Sequence, residues 1–152
     1  TWAGRWQRLT LNDGRALIID GSHNEEGIRT IEPLLAALDR PTIMVGALGV
    51  DRARPLVVTP ARHAARLVLV RPDNERACTV EELAALVPAD FHARGGRIVR
   101  GTVAGLFPDE GRCAAGGVDD VVVVTGSIYL LGEVLARIGP GTAAGEGRLQ
   151  DF

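Results

Sequence analysis

Short apolar runs recur along this chain, separated by stretches whose apolar residues repeat with helical period. Trp6 to Leu11 and Arg15 to Asp20 flank Asn12-Asp13-Gly14, a turn signal that predicts a β-hairpin with a short loop. After Asn24 come Ile28, Ile31, Leu34, Leu35 and Leu38, which fall on one continuous face of a helix. Pro33 interrupts that face and is expected to break or kink the helix, because it removes a hydrogen bond and clashes one turn back. Thr42 to Leu48 predicts a buried strand, residues 51–66 a helix, and Leu67 to Val70 a further core strand. Thr79-Val80-Glu81-Glu82 reads as a capping box that opens a helix through Leu83 and Leu86, stopping near Pro88. Residues 89–118 carry the weakest pattern, with a strand expected at Arg97 to Val99 and a Gly-rich loop at Gly111 to Gly117. Val121 to Val124 is β-branched throughout and predicts a strand. Ser127 can then cap a helix bearing Ile128, Leu131, Val134, Leu135 and Ile138, closed by Gly139-Pro140.

Strands that alternate with helices imply an α/β fold: a Rossmann-like, mostly parallel sheet with helices on both faces, begun by an antiparallel hairpin. At 152 residues the chain fits one domain, expected over 1–140, with a Gly-rich tail at 141–152 expected to be mobile. No apolar run approaches the ~20 residues of a membrane span, and a net charge of −2 gives no electrostatic footprint for nucleic acid. Cys78 and Cys113 fit neither a zinc pattern nor a disulfide framework, which points to a reducing, cytoplasmic setting. The chain starts at Thr1 rather than Met, leaving room for a preceding segment. All 17 basic residues are Arg. Without lysine, this chain can form neither a Schiff base nor a Gly-x-x-x-x-Gly-Lys-Ser/Thr phosphate loop.

The chemistry concentrates where strands end. Asp20 closes an apolar run, and Gly21-Ser22-His23-Asn24 leads into the next helix, so three polar groups (Asp20, His23 and Asn24) share the position where open α/β sheets bind ligands. Val124-Thr125-Gly126-Ser127 repeats the arrangement, and a helix start favours a carboxylate or phosphate. Each loop also has a plain structural reading, as solvated turn and helix cap. Arg5, between Trp2 and Trp6, can grip a phosphate or carboxylate bidentately or simply stack on tryptophan at the surface. Asp51-Arg52 and Arg71 to Arg76 are further polar strand exits, while His63 and His92 read as structural. By residue type His23 suggests a catalytic base, yet no Ser or Cys nucleophile stands with it in a recognisable arrangement.

Gly4-Arg5-Trp6-Gln7, Asp20-Gly21-Ser22-His23-Asn24, Arg76-Ala77 before Thr79-Val80-Glu81-Glu82-Leu83, and Thr125-Gly126-Ser127-Ile128-Tyr129 occur in this order. The series resembles the carboxyl-terminal domain of the folylpolyglutamate synthase and dihydrofolate synthase family, within the Mur ligase superfamily. That resemblance implies an ATP-dependent amide ligase: ATP phosphorylates a folate-type carboxylate to an acyl phosphate, and the amine of glutamate displaces the phosphate. It implies that Arg5 and Asp20 contact the nucleotide and that His23 and Ser127 lie at the glutamate end, with Asn24, Asp51 and Arg76 as further candidates. It also implies that the phosphate loop and the Mg2+ ligands sit on a larger amino-terminal ATPase domain of the same protein, outside this chain. The family's P-G-R is Ala3-Gly4-Arg5 here, its H-N-P is His23-Asn24-Glu25, and its D-K is Asp51-Arg52. A peptidoglycan-precursor or cyanophycin-type ligase would share the same general domain. A stand-alone α/β ligand-binding module without catalysis is the reading from another class.

The alternating pattern is self-sufficient, but catalysis by positioning needs both halves of a site. The purified 152-residue chain should therefore fold alone and show no ATPase or ligase activity. Glutamate-dependent ATP hydrolysis by the chain, measured as phosphate release, would contradict this.

Overall fold

The computed structural model describes residues 5–109, 111–117 and 120–139. The expected hairpin opens the fold: β1 (Gln7–Thr10) pairs antiparallel with β2 (Ala16–Ile19), Gln7 opposite Ile19 and Thr10 opposite Ala16. Gly14 takes a positive φ of 87° in the turn, a conformation open to glycine. Then come β3 (Thr42–Val45), β4 (Arg66–Leu69), β5 (Arg97–Arg100) and β6 (Val122–Thr125), joined in parallel in the sheet order β1-β2-β6-β3-β4-β5. Every residue of β3 and β6 is buried, as a parallel sheet covered on both sides requires.

Side chains alternate across the strands and so divide the core in two. Ile18, Ile43, Val45, Leu67 and Val123 face α1 (Glu25–Ala36), α2 (Arg54–His63), α3 (Val80–Ala84) and α4 (Ala89–Ala93). Leu17, Ile19, Met44, Val68, Val122 and Val124 face α5 (Val103–Leu106) and α6 (Ile128–Ile138). The neighbouring strands β2 and β6 thus send their chains to opposite faces, β2 into α1 and β6 into α6. That divergence opens a crevice at the carboxyl edge of the sheet.

Four differences from the sequence pattern have local causes. First, α1 runs through Pro33 to Ala36 instead of breaking there. Pro33 is exposed, so the carbonyl it leaves unpaired one turn back faces water. Second, the 51–66 segment is helical only in part: a 3-10 turn at Val50–Arg52 precedes α2, and Arg66 already pairs with Thr42 and Arg97 in the sheet. Third, the helix opened by the capping box ends at Ala84, short of Leu86, although both bonds of the box are present. Fourth, the weakly patterned stretch holds two one-turn helices, α4 and α5, and its expected strand is β5. The Gly-rich loop is tied down by buried Arg15, which donates to the carbonyls of Cys113 at 2.9 Å, Asp120 at 3.3 Å, and Ala115. The tail at 141–152 lies outside the described residues. No helix among the described residues is long and apolar enough to cross a membrane.

Glu32 clasps α1 to α2, its Oε2 taking His63 Nε2 at 2.9 Å and Arg62 Nη1 at 3.1 Å. The His63 bond holds the Glu32 carboxyl below its ordinary 4.5, against burial that raises it and with help from Arg62. A carboxyl lowered on folding adds stability above its unfolded value, and that stability is lost as pH falls through the folded value. Glu32→Gln should therefore flatten the decline in melting temperature below pH 4.5. Identical acid profiles for the two proteins would show that the clasp contributes nothing.

Candidate functional site

The two strand exits are stitched together before they diverge. Asp20 N–H donates to Val124 O at 2.9 Å, and Gly126 N–H donates to Ser22 O at 3.0 Å. Gly126 has a φ of 109°, and a Cβ there would lie 2.5 Å from Gly46 O, so only glycine lets β6 turn so close to the end of β3.

Beneath the crevice sits Asp20, 1% exposed. Its Oδ1 accepts from Trp6 N–H at 2.9 Å, and its Oδ2 accepts from Ser22 N–H at 2.9 Å and from the Thr125 hydroxyl at 3.5 Å. Trp6 adopts a left-handed backbone, φ 48°, directly after Arg5. Asn24 caps α1 by accepting from Gly27 N–H at 2.8 Å. Ser127, also 1% exposed, caps α6 by accepting from Tyr129 N–H at 3.0 Å and Leu130 N–H at 3.4 Å. The first amides of these helices, Glu25 and Ile128, have no hydrogen-bond partner among the described residues. Two positive helix ends therefore lie at one sheet edge.

His23 is exposed, and its Nδ1 meets Gly21 O at 3.1 Å. A carbonyl only accepts, so Nδ1 carries a proton and Nε2 is left as acceptor when the ring is neutral or donor when it is charged. The crevice encloses about 530 Å3 and is lined by Arg5, Ser22, His23, Asn24, Glu26 and Ile128, among others. That is the size of a small-molecule site.

The structure thus gathers Arg5, His23 and Asn24 on one wall and places Asp20 and Ser127 below it as buried supports. Asp51 lies apart, in a groove of about 800 Å3 between α1 and α2 that also holds Arg54 and Arg62. Arg76 lies beside the loop that follows β3: its carbonyl accepts from Gly49 N–H at 3.0 Å, and Ala77 bridges Leu48. Trp2 and Gly4 fall outside the described residues. Among the described residues no group of three or more His, Cys, Asp or Glu could hold a metal ion. Burial raises the thiols of Cys78 and Cys113, so neither supplies a ready thiolate. Sequence reasoning missed Thr125, Glu26 and Ile128. The first was within reach, since the pairing of Ile19 with Val124 brings the polar ends Asp20 and Thr125 level.

No protein-family model and no curated protein matches the chain. Among solved structures it is similar to Mycobacterium tuberculosis folylpolyglutamate synthase complexed with ADP and AMPPCP, at 22% identity over 91% of this chain and 33% of that one, TM-score 0.67. It is also similar to folylpolyglutamate synthase from Thermotoga maritima, at 22% identity over 93% of this chain and 31% of that one, TM-score 0.61. A third is the bifunctional folylpolyglutamate synthase/dihydrofolate synthase of Yersinia pestis with Mn, AMPPNP and L-glutamate bound, at 19% identity over 90% and 31%, TM-score 0.64. At these identities the likeness establishes the fold. The chain spans about a third of the length of each of these structures.

The close approach at Gly126 gives a direct check on the crevice. Gly126→Ala should cost more than about 2 kcal/mol, because the new Cβ meets backbone and the φ is disfavoured. Gly132→Ala, on the open surface of α6 with nothing within 4 Å, should stabilise by about 0.5–1 kcal/mol. Denaturant melts of both variants measure this, and equal effects would refute the crowding at Gly126.

Proposed function

We propose that this chain is the carboxyl-terminal domain of an ATP-dependent carboxylate–amine ligase of the folylpolyglutamate synthase and dihydrofolate synthase type. The observation that carries the proposal is the crevice at the β2/β6 divergence. It joins two helix N-termini and an arginine, Arg5, that has no partner among the described residues, in a fold shared with synthases solved with nucleotide. In the reaction, an oxygen of a folate-type carboxylate attacks the γ-phosphorus of ATP, and ADP leaves. The amine of glutamate then attacks the acyl carbon, phosphate departs, and the amine gives up a proton.

Within this scheme the domain's own residues bind and orient. Arg5 meets the nucleotide phosphates as a bidentate donor, and Asp20 belongs to the same side. His23 Nε2 and the α6 end capped by Ser127 face the incoming glutamate, whose carboxylate suits a helix N-terminus. A Mg2+ ion, when bound, would neutralise phosphate charge, and its ligands are assigned to the partner ATPase domain of the same protein. The likeness to synthases solved with AMPPNP, Mn and L-glutamate supports this division of labour.

In the intact protein, Arg5→Ala should weaken nucleotide binding about tenfold, the loss of one charge-assisted contact. Ser127→Ala should raise the glutamate KM more than the ATP KM. Steady-state phosphate release with each substrate varied separates the two. Equal effects on both substrates would remove the glutamate assignment, and nucleotide binding without glutamate-dependent turnover would leave a binding module.

A further inference from the structure

We infer that Glu26 receives the α-amino group of the incoming glutamate; the inference rests on the ligase reading proposed above. Glu26 stands in the first turn of α1 and is the one carboxylate among the described residues that line the crevice. Its side chain is exposed, and the carboxylate makes no hydrogen bond or ion pair with any described residue. The structural tasks of that turn fall to its neighbours. Asn24 caps the helix, and Glu25, paired with Arg29 at 3.0 Å, already supplies the acid that a helix dipole favours there. The Thr30 hydroxyl donates to the Glu26 backbone carbonyl at 3.0 Å, not to the carboxylate. At Gly27 a Cβ would lie 3.1 Å from both Cβ and Oγ of Ser22, so a bare backbone lets the loop carrying His23 press against the turn that carries Glu26.

The rest of the crevice is cationic in character: Arg5, the N-terminal ends of α1 and α6, and His23 when its ring is protonated. That set suits phosphates and the two carboxylates of glutamate, and it repels an ammonium. Yet the reaction needs the nitrogen, not a carboxylate, at the acyl carbon. An amino acid held by its anionic ends alone has nothing to direct its amine, and misdirection of a nucleophile is costly. One free carboxylate in an otherwise cationic crevice supplies the direction, accepting N–H bonds from the amino group while the cationic groups meet negative charge. The nucleotide contact that the resemblance gives Asp20 is untouched, since Asp20 lies beneath the crevice and its Oδ1 accepts only one bond.

Calorimetry on the intact protein loaded with AMPPNP and Mg2+ tests this by comparing L-glutamate with glutarate, which keeps both carboxylates and lacks the amino group. Glu26→Gln should weaken L-glutamate about tenfold, the loss of one charge-assisted contact, while glutarate binds at least as tightly as to the parent. Glutamate is itself a net anion, so removing a negative charge that acted only through space would tighten both ligands. Opposed signs therefore report a contact. Glu26→Asp, which keeps the charge on a shorter stem, should recover part of the glutamate affinity. Equal weakening of both ligands would make Glu26 a wall of the crevice and no more, and unchanged affinity for both would leave the amino group to other residues; either result overturns the inference. So would a tenfold loss for ADP with 2′-deoxy-ADP unaffected, which would give the carboxylate to the ribose. A parent protein that binds nucleotide but neither glutamate nor glutarate would instead sink the ligase reading, and the inference with it.

Discussion

The carboxylate of Asp20 draws hydrogen bonds from the entrance to β1, the exit of β2 and the end of β6, and the crevice exists because these three meet on one side chain. A buried carboxylate is costly unless every lone pair of consequence is satisfied. Here backbone amides and a hydroxyl do that, with no cation paired to Asp20 among the described residues. Bonds to a charged acceptor contribute about 1.5–3 kcal/mol each, so the ends of three adjacent strands are fixed more firmly than strand ends usually are.

What this bracing holds apart is as important as what it joins. From β2 the chain enters α1 and packs on Ile18, Ile43 and Val123; from β6 it enters α6 and packs on Leu17, Met44 and Val124. The two helices begin at the same edge and leave on opposite faces, so their N-termini share that edge while their bodies diverge. Gly126 makes the geometry feasible by letting β6 turn against the Gly46 carbonyl. The crevice is thus a product of topology and one glycine, with Arg5 and His23 added at its mouth.

Much of this was legible in the sequence because its signals are local. The Asn12-Asp13-Gly14 turn, the Asn24, Thr79 and Ser127 caps and the β-branched strand at 122–125 each depend on neighbours a few residues away. Illegible features depend on distant partners. Arg15 reads as an ordinary strand residue, yet its guanidinium reaches carbonyls about a hundred positions later in the chain and shapes a loop that has no pattern of its own. Pro33 looked like a break because the rule ignores which side of the helix faces water. The sequence grouped Asp20, His23 and Asn24 at one strand exit; in the structure Arg5, His23 and Asn24 line the crevice. Asp20 and Ser127 proved to be buried supports of the site, a distinction that residue type alone cannot make.

The central claim is that the β2/β6 crevice is where this domain meets nucleotide. The most direct measurement is a structure of the intact protein with ADP and L-glutamate bound. The account predicts nucleotide phosphates facing Arg5 and the amino acid facing His23 and the first turn of α6. Nucleotide bound in the α1/α2 groove beside Asp51 and Arg54, with the crevice empty, would contradict it.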